Sequence, residues 1–181
     1  MKKLIVLIAA LTVFSCAAFA EDDGFASHLR VEAGVPMNLL PFGLGLDVSA
    51  AYEFDINDSF MWDAGVDLSL DPLIGITSSI LIGRSLNTNV FASFWWKALY
   101  VRYGLGMGFN FDGGNAAFIP IDLRIGWEPQ FWSGKKSGLS FKLEGGIFGM
   151  AKKAIKHDDG TKDGGGFAAC FTVNAGVAYR F

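Results

Sequence analysis

The chain is poor in cysteine, proline, histidine and long apolar runs. Its 181 residues include two cysteines, five prolines and two histidines. Two thiols exclude a small fold stapled by several disulfides. Lysine and arginine number 15 against 18 aspartates and glutamates, a formal net charge of -3, so the basic footprint of a nucleic-acid binder is missing. Beyond residue 20 nothing approaches the roughly 18 to 20 consecutive apolar residues of a membrane helix. What is present is 51% apolar residues, 14% aromatics and 23 glycines. That composition excludes disorder and favours close-packed strands joined by tight turns over a helical bundle.

The amino terminus reads as an export signal. Lys2 and Lys3 precede an uncharged apolar run, and Ala18-Phe19-Ala20 supplies small residues at a cleavage site before Glu21-Asp22-Asp23. Residues 1–20 are expected to be removed, leaving residues 21–181 as a single domain with no linker. A rival reading takes Val13-Phe14-Ser15-Cys16 as a loose lipobox acylated at Cys16, although Phe14 is bulky for that role. Once Cys16 has left with the signal, Cys170 has no partner for an intramolecular disulfide.

After residue 28 the sequence alternates with period two. Leu44, Leu46, Val48, Ala50, Tyr52, Phe54 and Ile56 alternate with Gly45, Asp47, Ser49, Ala51, Glu53 and Asp55. Beyond an Asn57-Asp58 turn, Phe60, Trp62, Ala64, Val66, Leu68 and Leu70 alternate with Met61, Asp63, Gly65, Asp67 and Ser69, which makes a hairpin. The same pattern starts at Leu29 and recurs from Ile74 to a last apolar position at Ile82. It returns at Ile119 to Trp127, at Leu139 to Ile147 and at Phe167 to Phe181. Between residues 89 and 110 the apolar phase is even through Trp96 and odd from Leu99. No Gly, Pro, Asn or Asp falls between Phe94 and Arg102, so the expectation is a β-bulge within one long strand. Pro120 demands a strand start or a bulge. Turns are expected at 36–42, 71–72, 85–88, 112–115, 129–138 and 152–166. The count is eight strands, with ten as the alternative: an all-β, closed, antiparallel up-and-down transmembrane barrel.

Alternation alone does not say which face looks outward, because a soluble lipocalin-like carrier turns the apolar face inward. Small and acidic residues on the polar face suit a narrow interior. Aromatics near strand ends (Tyr52, Phe54, Phe60, Trp62, Trp127, Phe131, Trp132, Tyr179) suit girdles at two membrane interfaces. A signal peptide, eight alternating strands and a last strand closing on Val177-Ala178-Tyr179-Arg180-Phe181 resemble the small bacterial outer-membrane barrels, the group of OmpX, the OmpA transmembrane domain and the OmpW/OprG-like proteins. The resemblance implies an outer-membrane location and contact with its lipid. It also implies that the barrel-assembly machinery recognises Tyr179 and Phe181. Its OmpW-like branch, nearest by size, implies passage of small hydrophobic solutes.

The polar face carries Arg30, Arg102, Arg124, Lys142 and Arg180 against Glu32, Asp47, Glu53, Asp55, Asp63, Asp67, Asp122, Glu128 and Glu144. Two readings follow: an ion-pair network filling the lumen, or a cation-preferring constriction around Asp47, Asp63 and Asp67. Catalysis lacks its groups. Eight-stranded outer-membrane enzymes use His with Ser and an acid, and here only His28, beside Ser27, and His157 are available. Lys156, His157, Asp158 and Asp159 sit in a Gly-rich stretch that reads as a surface loop without a metal site. No cofactor is expected. The leading expectation is a monomeric conduit or binding site for small solutes. The alternative is a non-conducting surface protein whose loops bind partners.

Overall fold

The fold is given by a computed structural model that describes residues 28–39, 42–75, 85–110, 116–129, 137–152, 155–156, 162–163 and 166–181. The signal segment 1–20 lies outside the described residues. Eight long strands form a closed antiparallel barrel: β1 (Leu29–Leu39), β2 (Phe42–Asn57), β3 (Phe60–Gly75), β4 (Ser85–Trp96), β5 (Leu99–Asn110), β6 (Ala116–Trp127), β7 (Gly138–Lys152) and β10 (Gly166–Arg180). Between β7 and β10, β8 (Ile155–Lys156) and β9 (Lys162–Asp163) pair as a separate two-stranded ribbon. The first and last strands close the wall, with Arg30 opposite Arg180 and Asn38 opposite Thr172, and the Phe181 amide donates to the Leu29 carbonyl at 3.2 Å.

The count of eight is correct, but two boundaries within it are not. The expected bulge at Lys97-Ala98 is a two-residue hairpin: Trp96 pairs with Leu99, and β4 and β5 are separate strands. Lys97 takes φ 54°, uncommon for a residue with a side chain. The turn is held from outside itself, by Lys97 N to Ser59 O and by Glu128 N to Ala98 O, each 2.8 Å. Neighbouring turns thus supply what Asn or Gly would otherwise provide locally. In compensation, the strand expected from Ile74 to Ile82 does not stand apart. Ile74 and Gly75 finish β3, Asp71 pairs with Ser85 on β4, and residues 76–84 lie outside the described residues.

Several expected turns are strand. Pro36 pairs with Asn174 inside β1, and Asp71-Pro72 lies in β3. There the β2–β3 register jumps from Leu46 opposite Leu70 to Leu44 opposite Ile74, an irregularity that accommodates the missing Pro72 donor. Residues 85–88 belong to β4. The Asn57-Asp58 turn stands where expected, with Asn57 Oδ1 accepting from the Ser59 and Phe60 amides at 2.9 and 3.1 Å. The expected turn at 112–115 lies outside the described residues.

Pro120 marks a bulge in β6. Relative to both neighbours that strand holds one extra residue, with Gly104 opposite Asp122 but Gly106 opposite Ile119, and Ile121 opposite Gly149 but Phe118 opposite Ala151. The phase flips there. Ile119, expected on the apolar face, is fully buried inside, while Phe118 faces outward. Asp55 is also corrected: opposite the buried Met61 it keeps the inner-face phase, but at the rim of the barrel it is exposed rather than enclosed in the lumen.

The alternating faces are resolved by burial. Val35, Val66, Val90, Phe94, Val101, Ile125, Leu139 and Phe171 are exposed, while Arg30, Asp63, Lys142 and Glu128 are fully buried. The apolar face is the outer one, opposite to a lipocalin-like carrier. Among the strand residues whose burial is described, no charged side chain shares that outer face. Exposed aromatics gather at the end holding Leu29 and Arg180 (Phe54, Trp62, Phe94, Trp96, Trp127, Tyr179), and Phe109, Phe118 and Phe167 stand at the other.

Candidate functional site

The residues with chemistry lie inside the barrel, because inward positions alternate with the apolar wall on every strand. Among the described residues, eight buried carboxylates face five buried cations: Glu32, Asp47, Glu53, Asp63, Asp67, Asp122, Glu128 and Glu144 against Arg30, Arg102, Arg124, Lys142 and Arg180. They fall into tiers along the barrel axis.

At the end holding Leu29 and Phe181, Arg180 binds Glu53 at 2.8 Å and also pairs with Glu128. Arg30 reaches Glu128 at 2.8 Å and Asp63 at 3.4 Å. Ser140 donates to Glu128 as well. Burial raises the Glu128 carboxyl, just beyond β6, but Arg30, Arg180 and the Ser140 hydroxyl outweigh burial and hold it below the usual carboxylate range. In the middle tier, Glu32 pairs with Arg30 and Lys142 and receives two bonds from Arg102, at 2.6 and 3.2 Å. Glu144 accepts from Tyr100 at 2.6 Å and lies 3.3 Å from both Lys142 and Arg102. Further along, Arg124 holds Asp122 through two bonds of 2.7 and 2.8 Å and reaches Asp47 at 3.5 Å. Asn174 links Asp47 and Glu144 at 2.7 and 2.9 Å.

Aromatic side chains complete the filling. Trp95 and Tyr100 pack with their rings tilted by 31° and 4.0 Å between centroids, Trp95 donates to Asp63 at 2.7 Å, and the Arg30 guanidinium lies 4.7 Å from the Trp95 ring. Arg102 sits 4.1 Å over Phe91. Such contacts add about 0.5 to 2 kcal/mol each when desolvated. Gly126 leaves the space that the Tyr100 ring takes, since a Cβ there would enter the ring. Sequence reasoning missed Trp95, Tyr100 and Phe91, although all three fall in phase with Asn87, Asn89, Ser93 and Arg102. Toward the far end Ile119, Phe148 and Cys170 form an apolar cluster with Met150 packed against it, beside the buried Asn38.

Thirteen of the fourteen polar-face charges singled out from sequence are buried in the lumen, Asp55 at the rim being the exception. Tyr179 is on the outer wall, 43% exposed, its ring 4.9 Å from that of Phe181. Lys156 is in β8, and His157, Asp158 and Asp159 lie outside the described residues, as do Phe131 and Trp132. Among the described residues no group of three or more His, Cys, Asp or Glu is placed to hold a metal ion.

No protein-family model matches the chain, and no curated protein does. Among solved structures, the chain is similar to the crystal structure of Neisserial surface protein A (NspA), at 13% identity and a TM-score of 0.31, over 84% of this chain and 94% of that one. A likeness at that level carries neither fold nor function across, and the eight-stranded closed barrel rests on this chain's own register.

Proposed function

We propose that the chain is an integral outer-membrane barrel with a closed lumen, a rigid scaffold that presents its connecting segments at the membrane surface. The supporting observation is the pairing of an uncharged apolar outer wall with an interior packed by ion pairs and aromatic rings. Arg30, Asp63, Trp95, Glu128 and Lys142 are each fully buried in that interior. Water would have to be offered the apolar wall of a soluble barrel, whereas lipid accepts it. The outer membrane follows from the barrel form together with the signal-like residues 1–20, and Tyr179 and Phe181 fit the role of a recognition signal for the assembly machinery. In this orientation the start of β1, the end of β10 and the short Asp58-Ser59 and Lys97-Ala98 turns face the periplasm. The 152–166 connection, with Lys156, His157, Asp158 and Asp159, then faces outward, where binding loops belong.

A second reading has its own support. The apolar cluster of Ile119, Phe148 and Cys170 gives one end of the lumen a lining suited to a small hydrophobic solute, in the manner the OmpW-like resemblance implies. A path along the axis would still have to part the Glu32 and Glu128 ion pairs. Planar-bilayer recording with the purified barrel distinguishes the two. The scaffold reading expects no discrete conductance steps and no swelling of liposomes in small solutes. Reproducible steps, or swelling with apolar solutes, would replace it with the conduit.

A further inference from the structure

Of the seven asparagines in the sequence, Asn57 alone has serine or threonine two places on, in Asn57-Asp58-Ser59. Asparagine, any residue but proline, then a hydroxyl residue is the acceptor pattern of N-linked glycosylation, which belongs on surface loops of exported chains. Three residues match such a pattern often by chance, so the setting in the fold decides. Asn38, Asn87, Asn89 and Asn174 are buried in the lumen. Asn57 ends β2 opposite Phe60, and Asp58-Ser59 is the two-residue turn between them. Residues 54–58 are the longest unbroken exposed run among those whose burial is described, and Ser59 is half-buried.

The turn also presents the reacting atom. Asn57 Oδ1 accepts from the Ser59 and Phe60 amides at 2.9 and 3.1 Å, which fixes the side chain by its oxygen, while Nδ2 makes no hydrogen bond among the described residues. Glycosylation takes place at that nitrogen. Nδ2 attacks the anomeric carbon of a sugar carried on a polyprenyl diphosphate; the N–C bond forms, the C–O bond to the diphosphate breaks, and an Nδ2 proton leaves to a base of the transferase. The product is still an amide, so Oδ1 remains an acceptor and both bonds of the turn survive. Asn57 lies beyond Met61, where burial on β3 begins, and a bulky substituent there displaces nothing packed inside the barrel. Asp55 and Asp58, both exposed, give the segment a negative charge that complements a basic acceptor cleft.

We propose that Asn57 is the acceptor of an N-linked oligosaccharide, transferred on the periplasmic side from a polyprenyl-diphosphate donor. The inference rests on the outer-membrane reading above, which takes the chain through the periplasm and leaves the Asp58-Ser59 turn there. A glycan at this point sets a large hydrophilic group beside the exposed Phe54 and Trp62, whose rings stack at 4.1 Å. It therefore opposes any slip of that end of the barrel into the bilayer, where the sugar would lose its water.

The test is mass spectrometry of the barrel isolated from the outer-membrane fraction of its native cells. Chymotryptic cleavage after Phe54 and Phe60 releases residues 55–60, a peptide in which Asn57 is the one asparagine. The expected peptide is heavier by a whole number of sugar residues, with the increment on Asn57. Ser59→Ala removes the hydroxyl and keeps the backbone amide that Asn57 Oδ1 binds, so this variant is expected to fold and to lose the increment. Asn57→Asp keeps the accepting oxygen and is expected to lose it as well. A wild-type peptide found only at its unmodified mass, in barrel taken from the outer membrane, overturns the proposal, and so does an increment that persists in Ser59→Ala. Absence of the chain from that fraction is a different failure, that of the membrane placement, and it takes the acceptor with it.

Discussion

Arginine in place of Val66 is expected to cost about 2 to 4 kcal/mol of folding stability in a bilayer and to stop assembly into membranes, whereas arginine in place of Ile56 is expected to cost about 0 to 1 kcal/mol. The two valuable features of this pair are equal exposure and unequal depth. Val66 and Ile56 are each 56% exposed on the outer wall. Val66 lies in mid-strand, opposite Ala50 and Val90, while Ile56 adjoins the β2–β3 turn. Water would treat the two arginines alike, since both side chains would be solvated. Hydrocarbon does not: a guanidinium at mid-bilayer loses its hydration, and one near the interface reaches the headgroups by extending along its aliphatic stem. Urea titration of both variants in lipid vesicles measures the difference, and equal costs would remove lipid from the account.

Glu32→Leu is the second large effect, expected to destabilise the barrel by about 3 to 5 kcal/mol. Glu32 is 5% exposed and is shared by Arg30, Arg102 and Lys142. Its removal leaves three cations facing one another in a space with little water, their remaining acids being Glu128, Asp63 and Glu53 for Arg30 and Glu144 for the other two. The cost comes from uncompensated charge rather than from the worth of any one pair. The double variant Glu32→Leu with Lys142→Leu should therefore recover part of the loss, because it takes out one cation with the acid. A cost below about 1 kcal/mol for the single change would mean that solvent screens these charges, as it screens exposed pairs, and that the lumen is wet.

The wall was legible in the sequence because one local rule governs it. Wherever two strands are joined by a turn with its own chemistry, as at Asn57-Asp58, alternation alone places both faces. It failed where geometry is imposed from elsewhere in the molecule. Lys97-Ala98 carries no turn residue, since the Ser59 and Glu128 backbones hold it. Pro120 was visible as a break, yet the flip it imposes on Ile119 and Phe118 follows only from the register on both sides of β6. Asp71-Pro72 has the look of a turn and is strand, because the β2–β3 irregularity absorbs it. Within the lumen the charged residues could be assigned to a face one by one, but not to partners. Arg102 with Glu32 is a contact across 70 residues of sequence, and Lys142 with Glu32 one across 110. Trp95 and Tyr100 escaped notice for a related reason: an aromatic on a polar face contradicts the alternation rule, and only the cations that ring them explain their place.

The central claim is that lipid is the solvent of the outer wall. Its most direct test is dilution of the urea-unfolded protein, lacking residues 1–20, either into phosphatidylcholine vesicles or into the same buffer with no amphiphile, followed by electrophoresis with and without boiling. A folded, protease-resistant band that shifts on boiling, formed in vesicles and not in plain buffer, is the expected result. A monomer that folds and stays soluble in plain buffer would contradict it.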